Sequence, residues 1–299
     1  NTLAGVVRGH VAAKEMKEKE KEKEEKEKEK DKHFRYAVGC RLAFRDGTPD
    51  IVGRPTSRKA YGRLCRLLTD GNRRAKKGEC HLDLADLLRW GAGLMLGVMP
   101  DPLLTPLETS GLTATLATLR DAFPDAVRLL AVFAYGQRDR RRLIRLDRIA
   151  RAAGVPLMAT NDVHYHVPER RPLQDVLTCI REKTTLAAAG YRLAANAERH
   201  LKSPAEMARL FRDYPDAIAE TMRVMQRLEF SLDELRYQYP DEPTGNFASP
   251  QEALAHLAAE GARFRYPDGV PDSVTATLAK ELDMIASREY APYFLTVHD

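Results

Sequence analysis

The sequence predicts an α/β protein, because apolar runs of strand length alternate with amphipathic helical patterns. The runs GLMLGVMP (93–100), VRLLAVFAY (127–135) and VPLMAT (155–160) have the composition of buried strands. A helical pattern over 137–153 connects the last two runs through short links. This order is typical of βαβ units, whose strands are parallel. We therefore expect an α/β barrel or a doubly wound sheet.

The elements before these runs continue the alternation. The stretch 34–44 is predicted to be a strand, 58–71 a helix that ends at its glycine, and 82–91 a shorter helix. The helix over 137–153 is expected to end at Gly154. The two longer helices carry apolar side chains at helical spacing that are predicted to face the core, namely Leu64, Leu67, Leu68, Leu143, Ile144, Leu146 and Ile149.

The second half of the chain is predicted to be mainly helical. Ser203 and Ser249 are each followed by proline and, three residues on, by glutamate, which is typical of a helix start. A further helix is predicted over 273–287, with an apolar stripe that includes Leu278. The segment 234–250 is rich in proline, glycine and aspartate, so we expect the domain boundary there.

Composition limits the possible classes of protein. The chain has 299 residues, of which 43% are hydrophobic, and it contains no apolar run long enough to span a membrane. Its four cysteines are far apart, which predicts reduced thiols and a cytoplasmic location. The run Lys14–Lys32 holds nine basic and nine acidic residues, so the net charge of +5 arises elsewhere. We interpret this run as an inert surface insertion or a sequence artefact, either a solvated helix or disordered, and a functional arm is the alternative.

The stretch ATNDVHYH (159–166) contains the strongest candidate site. Asp162, His164 and His166 would lie on one side of an extended segment, just after a predicted strand. Carboxylate and imidazole at this spacing can bind a divalent metal, and α/β folds place their sites at the carboxyl ends of strands. A polar strand end that binds nothing is the alternative interpretation. His166, close to Pro168, is predicted to be a surface residue.

Other polar groups are weaker candidates. The helix containing RDRRRLIRLDR (138–148) could present Arg140 and Arg141 to DNA phosphates, or it could be a solvated face paired with nearby aspartates. His81 is predicted to be structural. Glu281 and Asp283 are predicted to lie on a solvated helix face rather than to form a catalytic pair.

Several strings, in one order, resemble the bacterial C-family (DnaE-type) DNA polymerases. They are ATNDVHYH, QDVLTCIREKTTL, RHLKSPAEMARLF, ELRYQYPDE and KELDMIASREYAPYFLTVHD. YGRLCRLLTDG and KGECHLDLADLLRW are most similar to the error-prone branch of that family. The resemblance implies a PHP (polymerase and histidinol phosphatase) domain over 1–235, a distorted (β/α)7 barrel carrying the insertion 14–32. It also implies the mainly helical start of the palm and thumb module over 236–299.

The resemblance also says what to expect at the candidate sites. The first barrel strand is expected before Asn1, and the palm carboxylates that bind two Mg²⁺ ions beyond Asp299, so we expect a fragment that is inactive alone. Asp162 and His164 match the last metal-binding motif of the PHP fold, but Arg41 stands where metal-binding relatives have glutamate. Because a guanidinium repels a bound cation, we expect no metal and an Arg41–Asp162 ion pair instead.

The implied function of the full-length protein is error-prone, template-directed nucleotidyl transfer in damage-induced DNA synthesis and repair. Its implied partners are primer–template DNA, deoxynucleotides, a sliding clamp and accessory mutagenesis proteins, with no membrane. The sequence leaves two alternative functions open. One is a metal-dependent phosphoesterase of the histidinol-phosphatase kind, and the other is a non-catalytic structural PHP module.

Overall fold

The computed structural model describes residues 1–27, 35–101, 106–136, 138–235, 244 and 246–298. The chain forms two compact units, Asn1–Leu235 and Arg236–Asp299. All strands of the described residues belong to the first unit, which also carries the candidate site. None of the helices that the structure describes is both long and apolar enough to cross a bilayer.

The first unit is built on a five-stranded sheet in the order β1-β2-β3-β4-β5. Its strands are Cys40–Leu42, Ile51–Pro55, Leu94–Val98, Val127–Val132 and Leu157–Thr160. The predicted parallel pairing is confirmed for β3, β4 and β5. It is wrong for the beginning of the sheet, where β2 is antiparallel to both of its neighbours. We did not predict β2, because a strand of five residues with an internal glycine and a terminal proline resembles a loop.

The helices of the first unit that the structure describes are α1 (Val6–Glu27), α2 (Arg58–Arg73), α3 (Leu84–Trp90), α4 (Pro106–Ala122), α5 (Asp139–Ala153), α6 (Arg171–Arg181), α7 (Leu186–Ala189), α8 (Pro204–Leu210) and α9 (Pro215–Arg227). The predicted helices correspond to α2, α3, α5 and α8. As expected, α5 ends at Gly154, which takes the left-handed conformation with φ of 66°.

Leucines dominate the core between the sheet and its helices. Most of the predicted inward-facing side chains are buried, including Leu64, Leu143 and Leu146. Ile144 is an exception, since it is 47% exposed on the outer side of α5. Helix α4 was not predicted, although Leu112, Leu116 and Leu119 pack into the core at helical spacing.

A buried ion pair joins the sheet to α9. Arg128 on β4 donates from Nε to the Glu220 carboxylate at 2.7 Å, and the two side chains are 8% and 4% exposed. The same guanidinium donates to the carbonyl oxygen of Asp125 at 2.7 Å. On its exposed side, Glu220 also accepts from Arg223 at 2.8 Å. The pair therefore anchors α9 against the sheet by charge as well as by apolar packing.

The described part of the Lys/Glu run continues α1. Ala13, just before the run, is buried, and Lys14, its first residue, lies 3.6 Å from Asp233. His10 contacts the same carboxylate at 3.2 Å. Of the two conformations that the sequence allowed, the helical one is observed as far as Glu27, and residues 28–32 lie outside the described part of the chain.

The second unit contains α10 (Pro250–Arg265), α11 (Asp272–Ser287) and α12 (Ala291–His298). Ser249 caps α10 as predicted, since its hydroxyl accepts a hydrogen bond from the Glu252 amide at 3.2 Å. The predicted stripe of α11, including Leu278, is the less exposed side of that helix, but no residue of α11 is fully buried.

Candidate functional site

The candidate site is a cleft at one end of the sheet. Strands β1, β3, β4 and β5 run in the same direction, so their carboxyl ends meet there. The loops that follow these strands line a cavity of about 1030 Å³. Its charged lining comprises Arg41, Asp46, Asp50, Asp101, Arg142, Asp162, His164, Arg181 and Arg199. Asp162 and His164 of ATNDVHYH therefore lie where functional sites of α/β proteins are typically found.

The backbone around Asp162 is not extended, contrary to prediction. Asp162 has φ of 42°, in the left-handed region that aspartate tolerates better than most residues. This turn breaks the strand alternation, so Asp162, His164 and His166 do not form one row. Asp162 and His164 line the cleft, whereas His166 is exposed, as predicted.

A short segment further along the chain holds this turn in place. The amide of His164 donates to the carbonyl oxygen of Arg199 at 2.9 Å, and Tyr165 pairs with His200 in an isolated parallel bridge. The buried side chain of Asn161 donates to the carbonyl oxygen of Glu198 at 3.0 Å. These bonds fix the position of Arg199 relative to Asp162.

Two guanidinium groups surround the Asp162 carboxylate. Arg199 donates to one carboxylate oxygen and also, from Nε, to the Asp162 carbonyl at 3.1 Å. Arg41 lies 3.8 Å from the other carboxylate oxygen. The predicted Arg41–Asp162 pair is therefore present, but Arg41 is much closer to Asp50, at 2.7 Å. Arg199 is the main partner of Asp162, and sequence reasoning missed it.

The surroundings of His164 in the cleft disfavour its protonated form. Partial burial and the positive charges of Arg41 and Arg181 lower the pKa of the His164 imidazole below its usual value. The pKa of Arg199 is lowered by burial and by Arg41, although an arginine keeps its charge at any physiological pH. His164 is therefore a neutral ring beside fixed positive charges at neutral pH.

The donor set does not fit a bound metal. Among the residues that the structure describes, no group of three or more His, Cys, Asp or Glu side chains is arranged to hold one. Asp162 already binds Arg199, and a divalent ion would have to displace that guanidinium. Met99, near the end of β3, offers only a weak thioether donor to the cleft.

The basic surface predicted for DNA lies on α5. Arg140 and Arg141 are exposed. The aspartates considered as their partners are engaged elsewhere: Asp139 accepts from the Gly136 amide at 2.8 Å, and Asp147 from Arg151 at 2.9 Å. The two arginines are thus positioned on the outer surface, away from the cleft-lining Arg142.

The remaining candidates have structural surroundings. His81 lies 2.9 Å from Arg45 and 3.0 Å from Glu79 through its two ring nitrogens. Glu281 and Asp283 are exposed on α11, as predicted for a solvated helix face.

Comparisons with known proteins point to one family. Residues 252–299 match the family model described as the bacterial DNA polymerase III alpha NTPase domain. The whole chain aligns with proteins named error-prone DNA polymerase. It is 47% identical to that of Sinorhizobium medicae, 50% to that of Rhodopseudomonas palustris and 49% to that of Mesorhizobium japonicum. In each alignment 100% of this chain is covered, but only 25%, 26% and 25% of the respective relative. The chain thus spans about a quarter of the length of these relatives.

Proposed function

The chain belongs to the error-prone DNA polymerase family, and we propose that it is the scaffold part of such an enzyme. The full-length protein would extend a primer by template-directed nucleotidyl transfer during damage-induced DNA synthesis and repair. The observation that carries this proposal is the identity of 47–50% over the entire chain. The Mg²⁺ ions of that reaction would be held by residues outside this chain, so we assign no chemical step to it.

Within this enzyme, residues 1–235 would be a PHP-type barrel without its first strand, and 236–299 the start of the polymerase module. The match over 252–299 supports the second assignment. The barrel assignment is supported by one contact. Arg41 on β1 lies 3.8 Å from Asp162, just after β5, although β1 and β5 are at opposite edges of the sheet. A curved sheet whose edges approach each other is typical of a barrel.

We further propose that ion pairs, not a metal, hold the cleft together. Arg41 and Arg199 supply the positive charge that a divalent ion would otherwise bring to Asp162. The test is elemental analysis of the full-length protein purified without chelator, beside Asp162→Ala and the exposed control Asp121→Ala. We expect no stoichiometric metal in any of them. Near-stoichiometric zinc or manganese lost only in Asp162→Ala would contradict the proposal and favour a metal-dependent phosphoesterase.

The α5 arginines are proposed to contact DNA phosphates. Their exposure, with both neighbouring aspartates engaged elsewhere, supports this role. Replacing Arg140 and Arg141 by alanine in the full-length protein should reduce the slope of log affinity against log salt by about 2. The control replaces Arg58 and Arg66, two exposed arginines of α2. An equal change of slope in both variants, or none in either, would count against a specific contact at α5.

Activity is tested by primer extension with the full-length protein and with residues 1–299 alone. We expect extension, including on damaged templates, from the full-length protein only. Reconstitution with a sliding clamp and accessory mutagenesis proteins, the proposed partners, should increase synthesis, and the protein should be found in the cytoplasm. Phosphate-ester hydrolysis by residues 1–299 would instead support the phosphoesterase, and a full-length protein inactive in both assays would support a structural module.

A further inference from the structure

Helix α6 (Arg171–Arg181) turns polar groups inward and apolar side chains outward, the reverse of an ordinary surface helix. Its inward side carries polar groups, with Thr178 buried and Gln174 and Asp175 half-buried. These groups make mainly local contacts: Arg171 donates to the Ala194 carbonyl at 2.6 Å and lies 3.4 Å from Asp175, and the Thr178 hydroxyl donates to the Gln174 carbonyl at 2.9 Å. The hydrogen bond to Ala194 joins α6 to a neighbouring segment, and Cys179 is also buried on the inward side.

The outward side of α6 is apolar. Leu173, Val176, Leu177 and Ile180 are 52%, 40%, 51% and 68% exposed. Their spacing of i, i+3, i+4 and i+7 forms one continuous stripe along two turns, here called the α6 stripe. Leu186 on the adjoining α7, 54% exposed, enlarges the apolar surface.

Contiguous exposed apolar surface of this kind marks an interface. The i, i+3, i+4, i+7 pattern is the one that an apolar helix or groove recognises in helix packing. The chain matches only 25% of a curated relative, so a large part of the enzyme has no counterpart in the first unit and can supply the missing partner surface.

We propose that the α6 stripe is the docking face for an apolar helix in the part of the full-length polymerase that lies outside residues 1–299. This inference rests on the proposed function, because it requires the remainder of the polymerase. Docking would bury Leu177, in the middle of the stripe, and Ile180, its most exposed position, and would fix the first unit relative to the polymerase module. Because α6 leads into the segment that positions Arg199, the same contact would also hold the cleft wall in place.

The experiment compares amide hydrogen exchange of α6 peptides in the full-length protein and in residues 1–299. We expect exchange to be at least about tenfold slower in the full-length protein, the protection that about 1.4 kcal/mol provides. The variant L177K/I180K should abolish the difference and lower the thermal midpoint of the full-length protein. The same variant should leave the midpoint of residues 1–299 nearly unchanged. Met222→Lys on α9, also at an exposed apolar position (60%), is the matched control and should have neither effect.

Three results would overturn the inference. The first is equal α6 exchange in both proteins, which would leave the stripe open to solvent or to a separate partner protein. The second is protection of residues 1–299 that increases with protein concentration, which would indicate a second copy of the chain. The third is the same loss in Met222→Lys as in the stripe variant. Primer extension by the wild-type full-length protein tests the proposed function separately, so failure of one can be distinguished from failure of the other.

Discussion

Replacing Glu220 by leucine tests the buried ion pair between Arg128 and Glu220 in the first unit. The carboxylate is 4% exposed and lies 2.7 Å from Arg128, so its removal leaves a buried guanidinium without its carboxylate. Removing one partner of a buried pair typically costs about 3–5 kcal/mol. Because Arg128 also donates to the carbonyl oxygens of Asp125 and Val127, we expect the lower end, about 3 kcal/mol.

The assay is urea denaturation followed by tryptophan fluorescence. Trp90 is the only tryptophan and lies on α3, so its emission reports the unfolding of the first unit without interference from the second. For a unit of this size, 3 kcal/mol corresponds to a fall in melting temperature of about 6–12 °C. The exposed partner provides a matched control: Arg223→Ala removes a surface ion pair and should cost at most about 1 kcal/mol.

The double variant Arg128→Met/Glu220→Leu separates two explanations of that cost. If the loss comes from the unpaired buried charge, removing both charges should restore most of the stability, because apolar replacements of buried pairs are often neutral. A double variant as unstable as the sum of the two single variants would refute this reasoning. So would a Glu220→Leu cost no larger than that of Arg223→Ala.

Three further outcomes are expected. His164→Gln should make the stability of the first unit less sensitive to acid between about pH 5 and 7, because the lowered pKa of His164 means that the unfolded chain binds more protons there and stability falls as pH falls. Urea titrations at several pH values measure this, and an unchanged pH dependence would contradict it. Deleting Lys14–Lys32 should leave the melting temperature within a few degrees, since Lys14 makes only an exposed ion pair; a large loss would mean that the run packs in the core. Ser249→Ala should lower the stability of the second unit by about 1 kcal/mol, measured by calorimetry, because the N-terminal cap of α10 is lost. The control Ser287→Ala, at the C-terminal end of α11, should cost less.

Sequence patterns predicted the elements whose side chains repeat at the right period. Helices α2 and α5 were found because leucines recur on one side, and Gly154 ends α5 as predicted. The predicted end of α2 was wrong, because that helix continues through the buried Gly71 to Arg73. Strand β2 was missed because Gly53 and Pro55 are atypical of strands, and because its pairing depends on partners distant in sequence. Helix α4 was missed because threonines and alanines separate its buried leucines.

The position of the candidate site was predictable, but its main contacts were not. Asp162 and His164 follow a strand in a βαβ unit, so their place in the cleft depends only on local order and the topology of parallel strands. Arg199 is 37 residues from Asp162, in a segment with no periodic signal. Only the fold brings its guanidinium to that carboxylate, as it brings Asp50 to Arg41.

The missed arginine changes how the cleft should be understood. The sequence pointed to Arg41 alone as the positive group beside Asp162. The structure adds Arg199, which binds Asp162 directly and is itself tied to the Asp162 backbone. Two fixed positive charges and two carboxylates, Asp50 and Asp162, already balance one another without a dication. Because neither guanidinium can lose its proton, this balance persists across physiological pH, which supports the proposed scaffold role.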